Sequence, residues 1–162
     1  MRFRAPVQVR ARAGGGRVLA WTPSGSSSLI ATEHALVLPE GVADDPRVPW
    51  DLVLRASWEL DAVEVVAQES AGGRPVTRRV ALDADPGSLP EVVRERVNAS
   101  IVVQHHVELV GERGARFVAR RTPGSSELRW SVVFDAGLDP RDPDLRRRAD
   151  VELAALRVSL GV

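Results

Sequence analysis

The stretch LVLRASWELDAVEVVA, residues 52–67, contains the clearest structural pattern in this sequence. Apolar and polar side chains alternate along its first nine residues, which is typical of a β-strand with one face in a core. One predicted face carries Val53, Arg55, Ser57 and Glu59, and the other carries Leu54, Ala56, Trp58 and Leu60. Asp61 and Ala62 then predict a turn, and Val63–Ala67 predicts the returning antiparallel strand.

Short apolar runs on both sides of this stretch predict further strands. They are Val18–Trp21, Leu29–Ala31, Leu36–Leu38, Val48–Trp50 and Val76–Leu82, followed later by Ile101–Val110, Ala115–Arg121 and Glu127–Asp135. Segments rich in glycine, proline and serine separate the runs, for example Thr22–Ser27 and Gly72–Gly73. Since these residues favour turns, we expect antiparallel connections throughout.

Two stretches have the spacing of amphipathic helices. The first begins after Ser88, has Pro90 in its first turn and ends near Asn98–Ser100. In the second, at the C-terminus, Asp142 is the predicted N-cap and Gly161 the terminator. Its predicted buried stripe consists of Leu145, Ala149, Leu153, Leu156 and Leu160.

The order of these elements predicts an α+β fold, rich in antiparallel β-structure, with two amphipathic helices, one of them C-terminal. Residues 1–16 are rich in arginine and end in three glycines, so we expect a flexible arm with a short strand at Ala5–Arg10. Residues 17–162 are predicted to form one domain, because a chain of 162 residues is long enough for one and short for two.

The first half of the chain resembles the bacterial pleckstrin-homology-like and GRAM-like domains. The similarity covers residues 17–97 and rests on Arg17–Trp21, Leu29–Leu38, Val48–Trp58 and Val63–Val66. It implies a bent antiparallel barrel or sandwich closed by a helix, in a family whose members bind lipids, peptides or proteins. Residues 98–162, a three-strand meander and a second helix, depart from that family's pattern.

Composition argues against several functional classes. The 22 basic and 22 acidic residues balance, whereas a nucleic-acid-binding protein usually has a basic excess. All the basic residues are arginine and there is no cysteine, which excludes a lysine Schiff base, a thiolate zinc site and a cysteine nucleophile. We therefore expect no cofactor and no nucleic acid partner. The N-terminus lacks the apolar region of a secretory signal, so a cytoplasmic location is predicted.

Histidines and aspartates suggest one enzymatic hypothesis. His105 and His106 are neighbours in a predicted strand, so their side chains point to opposite faces and cannot bind one metal together. A small hydrolase or metal-dependent enzyme would need His34, His105 or His106 to meet the carboxylates of Asp135–Asp144. That acidic segment is interrupted by prolines, and helix capping accounts for its last aspartates without a metal.

The favoured hypothesis is a non-catalytic binding or scaffold domain that binds a protein partner or a second copy of itself through an edge strand or a helix. Trp50, directly after Pro49, is the candidate for an exposed aromatic anchor, with a buried position as the alternative.

A third hypothesis is an anionic ligand or a membrane surface bound by arginines. Arg146, Arg147 and Arg148 fan around the last helix and more simply pair with neighbouring carboxylates. Together with Arg2, Arg4, Arg10 and Arg12 they would form an anion-binding surface.

Overall fold

The computed structural model describes residues 4–70 and 73–162, and it confirms an α+β fold with three antiparallel sheets. Unit 1 comprises the residues up to Ser100 together with Arg121–Glu127, and unit 2 comprises Ile101–Arg120 and Leu128–Val162. The single domain predicted over residues 17–162 is thus divided into two units. The reason is that the last three strands hydrogen-bond to one another in a sheet of their own.

Unit 1 contains two open sheets, in which neighbouring strands follow chain order. The first sheet consists of β1 (Val18–Ser24), β2 (Ser27–Thr32), β3 (Ala35–Val37) and β4 (Arg47–Pro49), and the second of β5 (Val53–Trp58), β6 (Ala62–Gln68) and β7 (Pro75–Ala81). These strands confirm the predicted ones, except that β1 continues through most of the predicted turn at Thr22–Ser27. The turn predicted at Gly72–Gly73 lies partly outside the described residues. Neither sheet closes into a barrel among the strands described.

One core joins the two sheets to helix α2 (Leu89–Ser100), which follows them. The large side chains that are most completely buried in this core are Leu29, Leu36, Leu38, Trp50, Val53, Val63, Val65, Val80, Leu89 and Val93. Full burial of one such aliphatic side chain contributes roughly 1.5–3 kcal/mol. The predicted helix is confirmed, and its stripe of apolar residues faces this core.

A β-bulge changes the face predicted for the first residue of β5. The pairing of β5 with β6 shifts between Val53 and Arg55, and Val53 is completely buried instead of sharing the solvent face of Arg55. Ala56 and Trp58, on the face opposite Arg55, pack against the core. Leu60 does not, because it follows the end of the strand and is 98% exposed. A bulge adds a residue to only one strand, so simple alternation cannot locate it.

A short helix, α1 (Val7–Arg12), lies where a strand at Ala5–Arg10 was predicted, so the predicted strand is wrong. Val9 on this helix is buried together with Ile30 and Val37 of the first sheet. These two side chains alternate with the core residues of their strands and therefore point to the opposite face of the sheet. Helix α1 thus covers the outer face of that sheet.

Two arginines fix α1 in place by donating to backbone carbonyl groups. The guanidinium of Arg12 donates to Ser28 O at 2.6 Å and to Leu38 O at 2.5 Å. Arg47 Nη2 donates to Ala13 O, at the end of the helix, at 2.8 Å. Because these partners are distant in sequence, the local pattern of residues 1–16 could not reveal the contacts.

Unit 2 consists of the predicted meander and the C-terminal helix. Its strands are β8 (Ile101–Val110), β9 (Arg113–Arg121) and β10 (Leu128–Phe134), in the order β10-β9-β8, and its helix is α3 (Pro143–Leu160). The buried residues of its core cluster are Ala115, Phe117 and Ala149, with Trp130, Val132, Phe134, Leu153 and Leu156 partly buried around them. This is a much smaller interior than that of unit 1.

The predicted ends of α3 are confirmed. The Asp142 side chain accepts hydrogen bonds from the N–H groups of Asp144 and Leu145, and Gly161 ends the helix with φ of 72°. The predicted apolar stripe is only partly buried. Leu145 and Ala149 at its beginning are 7% and 2% exposed, whereas Leu160 at its end is 46% exposed.

We expect Gly114→Ala to destabilise unit 2 more than Gly111→Ala does. A Cβ at Gly114 would overlap the carbonyl oxygen of Val107 on the neighbouring strand, and backbone cannot move aside. Gly111, in the same hairpin, has open space around it and a φ of 59°. Alanine there would lower the unfolding free energy only by the cost of the left-handed conformation, about 1–2 kcal/mol. Chemical denaturation of both variants measures the difference, and equal losses would contradict the steric argument.

Candidate functional site

Trp50 is a core residue and not an exposed anchor. It is only 2% exposed, and its indole Nε1 donates to Thr32 O at 3.0 Å. The residue follows β4 and packs with the core that both sheets share. The candidate partner surface at Trp50 is therefore wrong, because the indole N–H is satisfied inside the protein.

The three consecutive arginines on α3, Arg146–Arg148, have different surroundings. Arg147 pairs with Asp144, Arg148 donates to Leu109 O at 3.1 Å, and Arg146 is exposed. A groove of about 320 Å³ beside α3 includes Arg147 and Arg148, but Glu108 and Glu152 line it as well. Two carboxylates offset the two guanidinium groups, so this groove does not attract anions by charge.

The arginines of the predicted anion-binding surface belong to two different units. Arg4, Arg10 and Arg12 belong to unit 1, Arg146–Arg148 belong to unit 2, and Arg2 lies outside the described residues. Arg12 donates to two backbone carbonyl groups, and its Nε lies 3.7 Å from Glu40 Oε1. Only part of the predicted set therefore remains available for a ligand.

Within unit 2, the structure brings one histidine of the enzymatic hypothesis, His106, to one of its carboxylates, Asp135. His106 Nε2 lies 2.8 Å from Asp135 Oδ2. The same oxygen accepts a hydrogen bond from the N–H of Gly114 at 2.7 Å. The hydrogen bond with His106 lowers the pKa of Asp135 below its usual 3.8, and the Gly114 N–H lowers it further.

The remaining members of that hypothesis have separate contacts. His34 Nε2 lies 3.4 Å from Glu33 Oε1, and His105 is exposed in β8. Asp139 accepts from the N–H of Arg141, and Asp142 caps α3. Within residues 4–70 and 73–162, no three histidine, aspartate or glutamate side chains are arranged to hold a metal ion.

A cleft that the sequence did not predict lies in unit 1, beside α1. We call it the arginine cleft; it has a volume of about 630 Å³ and is lined by Arg4, Ala5, Arg10, Gly15, Gly16, Arg17, Val18, Leu19 and Trp21. The signals for it in the sequence were the arginine-rich segment and the glycines before Trp21. By themselves they predict no site, because a flexible arm over residues 1–16 would give a cleft no fixed wall.

A second surface feature is the outer side of α3. Val151 is 67% exposed and Val158 is 80% exposed, with the exposed Ala154 and Ala155 between them. The predicted stripe of α3 identified the opposite side of the helix, so this apolar face was missed as well. No described helix combines the length and the low charge that crossing a lipid bilayer requires.

Comparison with known proteins does not extend these observations: no protein-family model, curated protein or solved structure matches the chain. The resemblance of residues 17–97 to the pleckstrin-homology-like domains therefore stays a prediction.

We expect the Asp135 carboxylate to stabilise unit 2 above pH 4 and to lose this effect in acid. Its folded pKa is below the usual 3.8, so its stabilising contribution is present above that value and is lost as the pH falls through the folded pKa. The difference in unfolding free energy between the wild type and Asp135→Asn should then shrink as the pH is lowered. Asp150→Asn, on the exposed side of α3, is the control for removing one carboxylate. A difference that does not change with pH would contradict the role given to Asp135.

We expect Trp50→Phe to lower the unfolding free energy by about 1–3 kcal/mol. The substitution removes the indole N–H and leaves the buried carbonyl of Thr32 without that donor, and it also reduces the volume of the buried ring. Thermal or denaturant unfolding measures the loss. An exposed anchor would show no loss, so unchanged stability would restore the surface hypothesis.

Proposed function

We propose that this chain is a non-catalytic binding or scaffold domain that forms a homodimer through helix α3. The supporting observation is the uneven distribution of exposed apolar side chains. Of the nine large hydrophobic residues that are exposed in the described parts of the chain, seven belong to unit 2. Val151, Val158 and Leu160 of these lie on α3, and exposed apolar residues gathered on one element mark an interaction surface more often than scattered single residues do.

The exposed face of α3 lies opposite the face that packs on its sheet. Leu145 and Ala149 are buried, and at 100° per residue Val151, Ala154, Ala155 and Val158 fall on the other side. A helix with water on that side normally carries polar residues there. Apolar residues on both sides indicate that the second side has a partner.

The partner is a second copy, because the apolar pattern of this face reads the same from both ends. On this face Val151 and Ala154 are followed by Ala155 and Val158 at mirrored positions. In an antiparallel pair centred between Ala154 and Ala155, each Val151 is level with Val158 of the second copy. A two-fold interface needs such self-complementarity, and the small alanines allow the helices to approach closely.

The interface of a single helix pair is smaller than the roughly 1,600 Å² of a standard stable interface. We therefore propose a weak dimer, with a dissociation constant in roughly the micromolar range or above. Concentration in the cell would then control the fraction of dimer.

We further propose that unit 1 is the pleckstrin-homology-like part of the molecule. Its two open antiparallel sheets and the helix α2 against their shared core support this assignment. Unit 2 then corresponds to the segment that departs from the family pattern, and it would supply the dimer contact.

We expect sedimentation analysis to show a concentration-dependent dimer that Val151→Glu/Val158→Glu abolishes. Four unpaired carboxylates, two from each copy, would have to be desolvated in that interface, which is unfavourable. Leu60→Glu is the control, since Leu60 is an exposed apolar residue of unit 1 and its substitution should leave the dimer intact.

Cysteine cross-linking provides an independent test, because the chain has no cysteine of its own. Ala154→Cys should form a covalent dimer under mild oxidation, since antiparallel packing brings the two sulfurs within disulfide distance. Leu60→Cys should not. A chain that stays monomeric at all concentrations, or a dimer that survives the double glutamate variant, would show the proposal to be wrong.

A further inference from the structure

The arginine cleft combines positive charge with a concave shape. Arg4, Arg10 and Arg17 line it, and no carboxylate is among its described lining residues. Glu33 Oε1 accepts a hydrogen bond from the backbone N–H of Arg17 at 3.5 Å, and the same oxygen pairs with His34. Three guanidinium groups around one cavity without a matching carboxylate produce a positive potential in it.

These arginines differ from the structural arginines of the same unit. Arg12 and Arg47 each donate to backbone carbonyl groups and hold α1 in place. Arg4 and Arg17 are exposed and form no ion pair with a described carboxylate. Arg10 uses its Nε to donate to Ala5 O at 3.1 Å, which orients its side chain along the cleft wall. The cleft arginines therefore have donors for an external acceptor.

The other wall of the cleft is apolar. Val18, Leu19 and Trp21 of β1 line it, and all three are only partly buried. Trp21 and Val18 also pack beside Val9, so the fold holds the wall in place. The backbone of Gly15 completes the lining, and open space lies where a side chain would be. An aromatic ring next to guanidinium groups suits a ligand that has a charged group and, attached to it, a planar or aliphatic part.

We propose that the arginine cleft binds a small organic anion. Its carboxylate or phosphate group would contact Arg4, Arg10 and Arg17, and its planar or aliphatic part would lie against Trp21 and Val18. A volume of about 630 Å³ is within the usual range for small-molecule sites. An inorganic anion would leave the apolar wall exposed, and a neutral apolar molecule would leave the arginines without partners.

Calorimetric titration with naphthyl phosphate and with naphthoate tests this proposal. Both probes should bind, and each should bind more tightly than inorganic phosphate, which lacks the ring, and than naphthol, which lacks the charge. Raising the salt concentration should weaken the binding, because charge pairing at a solvent-open site is screened.

Arg4→Gln/Arg17→Gln is the decisive variant, since neither side chain has a described structural partner. We expect its affinity for naphthyl phosphate to fall at least about tenfold, as charge-assisted hydrogen bonds are lost. Arg4→Lys/Arg17→Lys should lose less, because the charge remains. Arg94→Gln/Arg146→Gln removes two exposed arginines elsewhere and should bind like the wild type. Melting temperatures confirm that each variant is folded.

Three results would overturn the proposal: no binding of either probe at millimolar concentration, equal binding by the glutamine variant, or equal affinity for inorganic phosphate. Vesicles of phosphatidylglycerol and phosphatidylcholine distinguish a lipid headgroup from a soluble anion. Binding to the vesicles without binding to the soluble probes would also overturn it, in favour of a membrane surface. Because the cleft and the outer face of α3 belong to different units, dimerisation and ligand binding can fail independently.

Discussion

Burial of apolar side chains between two open sheets and one helix is the constraint on which unit 1 depends. The chain has no cysteine to form a disulfide, and among the described strands neither sheet closes on itself, so the sheets and α2 are held together chiefly by the interior that they share. Successive side chains of a strand point to opposite faces of the sheet. Ile30 and Val37 consequently lie on the outer face of the first sheet, where Val9 of α1 covers them. The arginine cleft exists because that second, smaller contact places α1 beside β1.

The arginines of unit 1 have two different roles, and only their partners distinguish them. Arg12 and Arg47 donate to main-chain carbonyl groups that would otherwise need another donor. Arg4 and Arg17 line a cavity instead. A guanidinium has five donors in a fixed plane and stays charged, so it suits both roles equally well. Residue type alone could not distinguish an arginine that holds α1 in place from one that lines the cleft.

Unit 2 has a smaller buried core than unit 1, so the proposed dimerisation would add to its stability. A single helix packs on a three-stranded sheet, and only Ala115, Phe117 and Ala149 of its core cluster are fully buried. Small units of this kind gain stability from additional contacts such as oligomerisation. The His106–Asp135–Gly114 contacts connect the hairpin of β8 and β9 to the end of β10. They have a structural explanation and need no catalytic one.

Sequence by itself determined the α+β class, nearly all the strands, helices α2 and α3, and the cap at Asp142. These features follow from the period of apolar residues and from the chemistry of turns and caps, which act over a few neighbouring residues. Trp50 is a different case, because only the core around it shows that the indole is buried and bonded to Thr32. Tertiary structure alone decided that residues 7–12 form a helix, that the chain divides into two units, and that Arg17 and Trp21 share a cleft with Arg4. The physical reason is that each of these outcomes depends on partners far apart in the chain, which no local pattern encodes.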